Sequence, residues 1–210
     1  MIIQKDIQNE SVPGNKCLVL LVHDTGSTPN TLWGNIKKFL TRKDYISIHY
    51  LIGKTQQDGV IQYEEEDRIA YHAGVSAWGI LKDLNKCSIG IEVFCTDGTF
   101  TQWQRDTLRE LCQNIMRRHN IPSSMVLCHK DVALPKGRRS DPRPDLYAPW
   151  GSWEAFQRSL DNNDTQELEN AFKRDSEALH PYIVNLNATK LKLAEAKGVE
   201  FKPYFLTDVK

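Results

Sequence analysis

Apolar positions along this chain follow two rhythms. Residues 17–22 (CLVLLV) are uninterrupted by charge, and residues 88–94 (SIGIEVF) are broken by one carboxylate, Glu92. Short unbroken runs of this kind predict strands buried on both faces of a sheet. Residues 46–52 predict another strand. Asp58-Gly59 is a turn signal, so residues 60–63 are expected to pair back as a hairpin. Residues 125–128 form a short apolar run that delivers His129, whereas 64–86 show no sustained period and read as a long connection.

The second rhythm is helical. Leu108, Leu111, Cys112, Ile115 and Met116 recur at three- and four-residue steps, and Thr101 with Gln104 fits a capping box. That helix should run to about His119 and stop before Pro122. Shorter helices are expected over 30–40, with Leu32, Trp33, Ile36, Phe39 and Leu40 on one face, and over 152–160. Pro135, Gly137, Pro142, Pro144 and Pro149 make 130–150 a loop. After Leu160 the composition turns polar. A main domain over 1–160 and a helical extension over 161–210 are therefore expected, with helices near 165–179 and 187–197.

Charge and cysteine content narrow the function classes. Lys+Arg and Asp+Glu number 27 each, so no net field steers the chain toward nucleic acid. No apolar run approaches the roughly 20 residues of a membrane span. The first residues, MIIQKDIQNESVPG, lack the apolar core of a signal peptide, so a cytoplasmic location is expected. The five cysteines form no CxxC pair, which favours reduced, buried thiols.

The candidate chemistry lies in three residues. His23 ends the first apolar run, and His129 stands twelve residues before Asp141 in CHKDVALPKGRRSDPRP. Two imidazoles and a carboxylate form a usual catalytic zinc shell with its fourth position open to water. Three unrelated polar residues are the alternative on spacing alone. Cys128 is a further candidate ligand, but as His129's strand neighbour it should face the other way.

The motifs HDTG, SIHYLI, DGVIQYEEEDRIAYHAG, LNKCSIGIEVF and HKDVAL…RRSDP occur in one order over roughly residues 17–155. Together they resemble the amidase-2 family of zinc-dependent N-acetylmuramoyl-L-alanine amidases, which includes AmpD, T7-type phage lysozyme and peptidoglycan recognition proteins. The resemblance implies an α/β fold with a mixed central β-sheet flanked by helices. It implies His23, His129 and Asp141 as ligands of Zn2+ and Glu92 as general base. Arg139 takes the place, two before the last ligand, where many members carry an oxyanion-stabilising Lys, with Lys136 and Arg138 of the same loop as alternatives for that role. His49, His72 and Asn85 match positions lining the substrate groove.

Trp78 reads either as a stacking face for substrate or as a loop anchor. The implied activity is hydrolysis of the amide between the lactyl group of N-acetylmuramic acid and L-alanine. Peptidoglycan or a muropeptide would be the substrate. A muropeptide recognition module without catalysis is the alternative, and the extension over 161–210 is a candidate partner- or wall-binding segment. Access to the wall would then need a route other than signal-peptide export.

Overall fold

The computed structural model describes residues 3–6, 12–26, 34 and 47–161. The chain divides between Asp161 and Asn162 into two units, and the fold described is that of the first. The helix expected over 30–40 and the whole extension over 161–210, apart from Asp161 itself, lie outside the described residues.

Six strands form one mixed sheet: β1 (Ile3–Lys5), β2 (Val19–Asp24), β3 (Tyr50–Ile52), β4 (Val60–Gln62), β7 (Ser88–Val93) and β8 (Val126–Cys128), in the order β1-β4-β3-β7-β2-β8. Strands β3 and β4 are antiparallel, as the Asp58-Gly59 turn predicts, while β7 runs parallel to β3 and β2, and β2 parallel to β8. All six residues of β2 are buried, the environment its unbroken apolar run calls for.

Side-chain alternation divides the sheet into two faces. Leu20, Val22, Ile89, Ile91, Val93, Val126 and Cys128 pack in one cluster with Leu108, Leu111, Cys112 and Ile115 of helix α1 (Gln102–His119) and with Phe156 and Leu160 of helix α3 (Trp153–Asp161). Val19, Leu21 and Leu127 face the other way and pack with Ala73, Leu84 and Val132. His23 and Glu92 fall on this second face by the same alternation. Cys128 lies in the helix-covered cluster, fully buried, so it faces away from the histidines. All five cysteines are free and buried.

Helix α1 starts as its sequence demands. The Thr101 hydroxyl accepts from the Gln104 N–H, and the Gln104 side chain accepts in return from the Thr101 N–H. Its far end is tied to the loop after β4. Glu66 accepts from Arg118 and from the Tyr50 hydroxyl at 2.7 Å, and pairs with His119 at 2.6 Å. His119, which reads as an ordinary surface residue in the sequence, is therefore part of a partly buried ion cluster. Burial opposes ionisation of Glu66, but these partners outweigh it and hold its carboxyl down at about 2.

Three segments differ from the sequence expectation. The strand expected over 46–52 is regular only at Tyr50–Ile52. The connection over 64–86 contains a small hairpin, β5 (Ala77–Trp78) with β6 (Leu81–Lys82), and a 3-10 turn at Leu84–Lys86. The loop over 130–150 is interrupted by a one-turn helix, α2 (His129–Val132), and a 3-10 helix at Pro144–Trp150. Proline 144 opens that last helix, where a missing N–H costs nothing. Strand β1 had no signal in its three residues beyond pairing with β4 at the sheet edge.

Gly90 sits mid-strand because another group occupies the space of its side chain. A Cβ there would lie 2.5 Å from Ile48 Cδ1 and 2.6 Å from His72 Nδ1, a close approach of the kind that marks a strand glycine. Gly90→Ala should therefore overpack the site face and destabilise the fold by about 1–3 kcal/mol in urea titration. An unchanged midpoint would contradict this packing.

Candidate metal centre

Two parallel strands end side by side and present the first two residues of the centre. His23 is the fifth residue of β2, and His129 opens α2 immediately after β8. The third, Asp141, comes from the proline-rich loop. His23 Nδ1 lies 3.0 Å from His129 Nδ1 and 3.1 Å from Asp141 Oδ2, and His129 Nδ1 lies 2.9 Å from the same oxygen. His23 and His129 are buried, and Asp141 is half-buried.

The surrounding hydrogen bonds assign the tautomers. His129 Nε2 faces the Ala73 carbonyl at 3.1 Å, which only accepts, so Nε2 carries the proton and Nδ1 a lone pair. Ser88 Oγ donates to the Leu84 carbonyl at 2.6 Å and is left to accept from His72 Nε2 at 3.4 Å. His72 Nδ1 then accepts from His23 Nε2 at 3.0 Å, leaving His23 Nδ1 with its lone pair. Burial, offset in part by Asp141, lowers His23 to about 4 and keeps it neutral at pH 7. Burial likewise pushes His72 well below its ordinary value. Asp141 is raised by burial, but the two histidines beside it reverse this and draw it down.

Three acceptor atoms thus converge with no proton between them. Tetrahedral coordination with bonds of about 2.0–2.1 Å sets ligand atoms roughly 3.3 Å apart, close to the observed 2.9–3.1 Å. The donor set fits a zinc ion. Outer hydrogen bonds from both rings, to Ala73 and His72, are the arrangement that orients histidine ligands.

Glu92 is the Cα partner of His23 across β2 and β7. Its Oε2 is buried and meets no hydrogen-bond partner among the described residues, an orphan that in a site calls for a water or ligand. Burial, then the charges of Asp141 and Asp24, push its pKa well up, and Arg139 draws it down. Arg139 also acts on His23. Arg138 is differently engaged, donating to the carbonyls of Leu134, Ala73 and Val75 at 2.7–3.2 Å.

The other residues singled out in the sequence occupy distinct places. His72 stacks edge-on between His23 and His49, at centroid distances of 5.2 and 5.7 Å. His49 is fully buried beneath it. Its Nδ1 accepts from the Gly90 N–H at 2.9 Å, and its Nε2 donates to the Arg68 carbonyl at 3.0 Å. Asn85 accepts from the His72 and Ala73 N–H groups and donates to Asp83 and Gly74. Trp78 is 39% exposed on the β5–β6 hairpin, and Val75 and Ile80, close to it in sequence, are exposed as well. Ser88, Gly90 and Asp24 escaped the sequence reading; only Gly90, a mid-strand glycine, carried a signal.

This chain belongs to the N-acetylmuramoyl-L-alanine amidase family, whose pattern it matches over residues 13–144. It is 33% identical over 115 residues to the 1,6-anhydro-N-acetylmuramyl-L-alanine amidase AmpD of Enterobacter cloacae, covering 54% of this chain and 58% of that protein. It is 32% identical over 139 residues to the N-acetylmuramoyl-L-alanine amidase AmiD of Escherichia coli strain K12, with 54% and 48% covered. The chain therefore spans about half the length of these curated relatives.

Among solved structures it resembles Escherichia coli AmiD in complex with the substrate anhydro-N-acetylmuramic acid-L-Ala-D-γ-Glu-L-Lys. That likeness has a TM-score of 0.55 and 28% identity, covering 71% of this chain and 60% of the other. A crystal structure of AmpD superposes with a TM-score of 0.57 at 23% identity over 75% of this chain and 93% of that one, which bears on the fold. The mixed sheet flanked by helices expected from the sequence is the fold these structures share.

The buried histidines set a pH dependence. His49 falls from 6.5 to about 4 because burial disfavours its charge. An unfolded chain takes up that proton first, so stability declines as pH falls from about 6.5 toward 4. Urea midpoints of metal-free protein should drop across that window, and His49→Gln should flatten the drop. A wild-type midpoint constant from pH 6.5 to 4 would contradict a neutral buried His49.

Proposed function

We propose that this protein is a zinc-dependent N-acetylmuramoyl-L-alanine amidase acting on muropeptides, hydrolysing the amide between the lactyl group and L-alanine. The observation that carries this reading is the convergence of His23 Nδ1, His129 Nδ1 and Asp141 Oδ2 beside the unpartnered carboxyl oxygen of Glu92. Membership of the amidase family and the anhydromuramyl-peptide substrate seen with AmiD support the substrate class. Among the described residues no helix is long and apolar enough to cross a membrane.

His23, His129 and Asp141 would hold the ion. Zinc held there would supply Lewis acidity toward the scissile carbonyl and would make water at the site more acidic. Glu92 accepts the proton of the attacking water at its carboxylate and returns it to the leaving amine of L-alanine. Burial raises the proton affinity of this carboxyl, which favours the uptake of a proton by a general base. Arg139 stabilises the negative charge that develops on the carbonyl oxygen; Arg138 is taken up by three main-chain carbonyls. Trp78 offers an exposed ring to substrate. His72, His49 and Asn85 act beneath the site, holding the first histidine and the segment over it.

Zinc content and release of free stem peptide from anhydro-muropeptide, followed by mass spectrometry, test the reading together. His129→Ala should lose both, because a ligand is gone. Glu92→Gln should keep zinc and lose about 10²–10⁴-fold in turnover. A Glu92→Gln rate near wild type would remove this residue from the mechanism, and binding of muropeptide without cleavage by the wild-type chain would favour a recognition module instead.

A further inference from the structure

Each histidine of the centre has a sequence neighbour that grips the loop carrying the third ligand. Next to His129, the Lys130 N–H donates to the Asp141 carbonyl at 2.8 Å. Next to His23, the Asp24 carboxylate accepts from the Arg143 N–H at 2.6 Å. Asp24 is 1% exposed at its side chain, an expensive place for a carboxylate unless its hydrogen bonds matter. Its other oxygen accepts from the Gly26 N–H at 2.9 Å. The Arg143 guanidinium is less well placed, its Nε 3.9 Å from Asp24 and its Nη1 donating to Cys95 Sγ at 2.9 Å.

We infer that Asp24 is a positioning residue for the metal centre: through the main-chain N–H of Arg143 it sets Asp141 against His23 and His129. Alternation along β2 puts Asp24 on the face opposite His23, so it cannot join the donor triangle and reaches the loop from behind. Asp141 is thereby held two residues downstream by Asp24 and at its own carbonyl by Lys130. Arg138 also ties the loop to Ala73 and Val75, but the bonds to Lys130 and Asp24 are the ones at Asp141 and just after it, and losing either would leave the carboxylate freer to turn away from the imidazoles. With both anchors, little ordering remains when the ion binds. This inference rests on the metal reading of His23, His129 and Asp141.

The main-chain character of the link allows a clean test. Arg143 has φ −64° and ψ 147°, angles a proline adopts, so Arg143→Pro removes the N–H without changing the backbone angles, while its Cδ takes the hydrogen's place and pushes the Asp24 carboxylate back. Asp24→Asn keeps the shape but leaves one of the two N–H groups without an acceptor. Arg143→Ala keeps the N–H and removes only the guanidinium.

Zinc affinity of each purified variant is measured by competition with a chromophoric chelator. Cobalt substitution reports ligand geometry through its visible absorption, and circular dichroism confirms the fold. Asp24→Asn and Arg143→Pro should each weaken zinc by about 10–100-fold, the usual cost of losing an outer partner, and should alter the cobalt spectrum. Arg143→Ala should stay within about 3-fold of wild type, small beside that loss.

Wild-type affinity in folded Asp24→Asn would overturn the inference. So would a loss in Arg143→Ala equal to that in Asp24→Asn, because the link would then run through the side chain. A wild-type chain that binds no zinc would overturn the metal reading itself, a result distinguishable from wild-type binding that Asp24→Asn leaves unchanged.

Discussion

Three lone pairs aimed at one another are stable only with positive charge among them, and the arrangement around His23, His129 and Asp141 keeps them so aimed. Each ring has its far nitrogen taken by an acceptor, Ala73 for His129 and His72 for His23. The far nitrogens therefore carry the protons, and the near ones cannot. His72 is itself directed by Ser88, whose hydroxyl is committed to Leu84. The polarity of the centre is thus decided by a main-chain carbonyl two partners away.

The sheet makes this geometry possible. Parallel pairing of β7 with β2 and of β2 with β8 brings strand ends to one edge, where sites in such sheets are commonly built. Alternation then separates duties. One face is closed by α1 and α3 and supplies the main apolar core; the other carries His23, Glu92 and the stacked His72 and His49. The same alternation places Asp24 behind His23, next to the loop that returns Asp141 to the front. Gly90 lets the His72 ring lie against β7 at a distance no side chain would permit.

A good part of this was legible in the chain. Apolar runs marked β2, β7 and β8, and the Thr101–Gln104 pair marked the start of α1. Two histidines at strand ends and an aspartate in a proline loop marked the donor set. The short elements were not legible. β1, β5 and β6 have two or three residues each, too few for any period, and they exist because a neighbour offers hydrogen bonds. His119 was misread because its partner, Glu66, lies 53 positions earlier.

By itself the sequence determined which segments are buried and which residue types could meet at a site, since burial and periodicity are local properties of composition. Only the tertiary structure decided what each polar residue does. Arg138 and Arg139 are adjacent and chemically identical, yet one is bound to carbonyls 63 and 65 positions away and the other acts on His23 and Glu92. His49 and His72 look alike in the chain, yet one is sealed against Gly90 and the other holds the His23 ring. Hydrogen-bond direction depends on partners that folding brings from distant positions, so no local pattern encodes it.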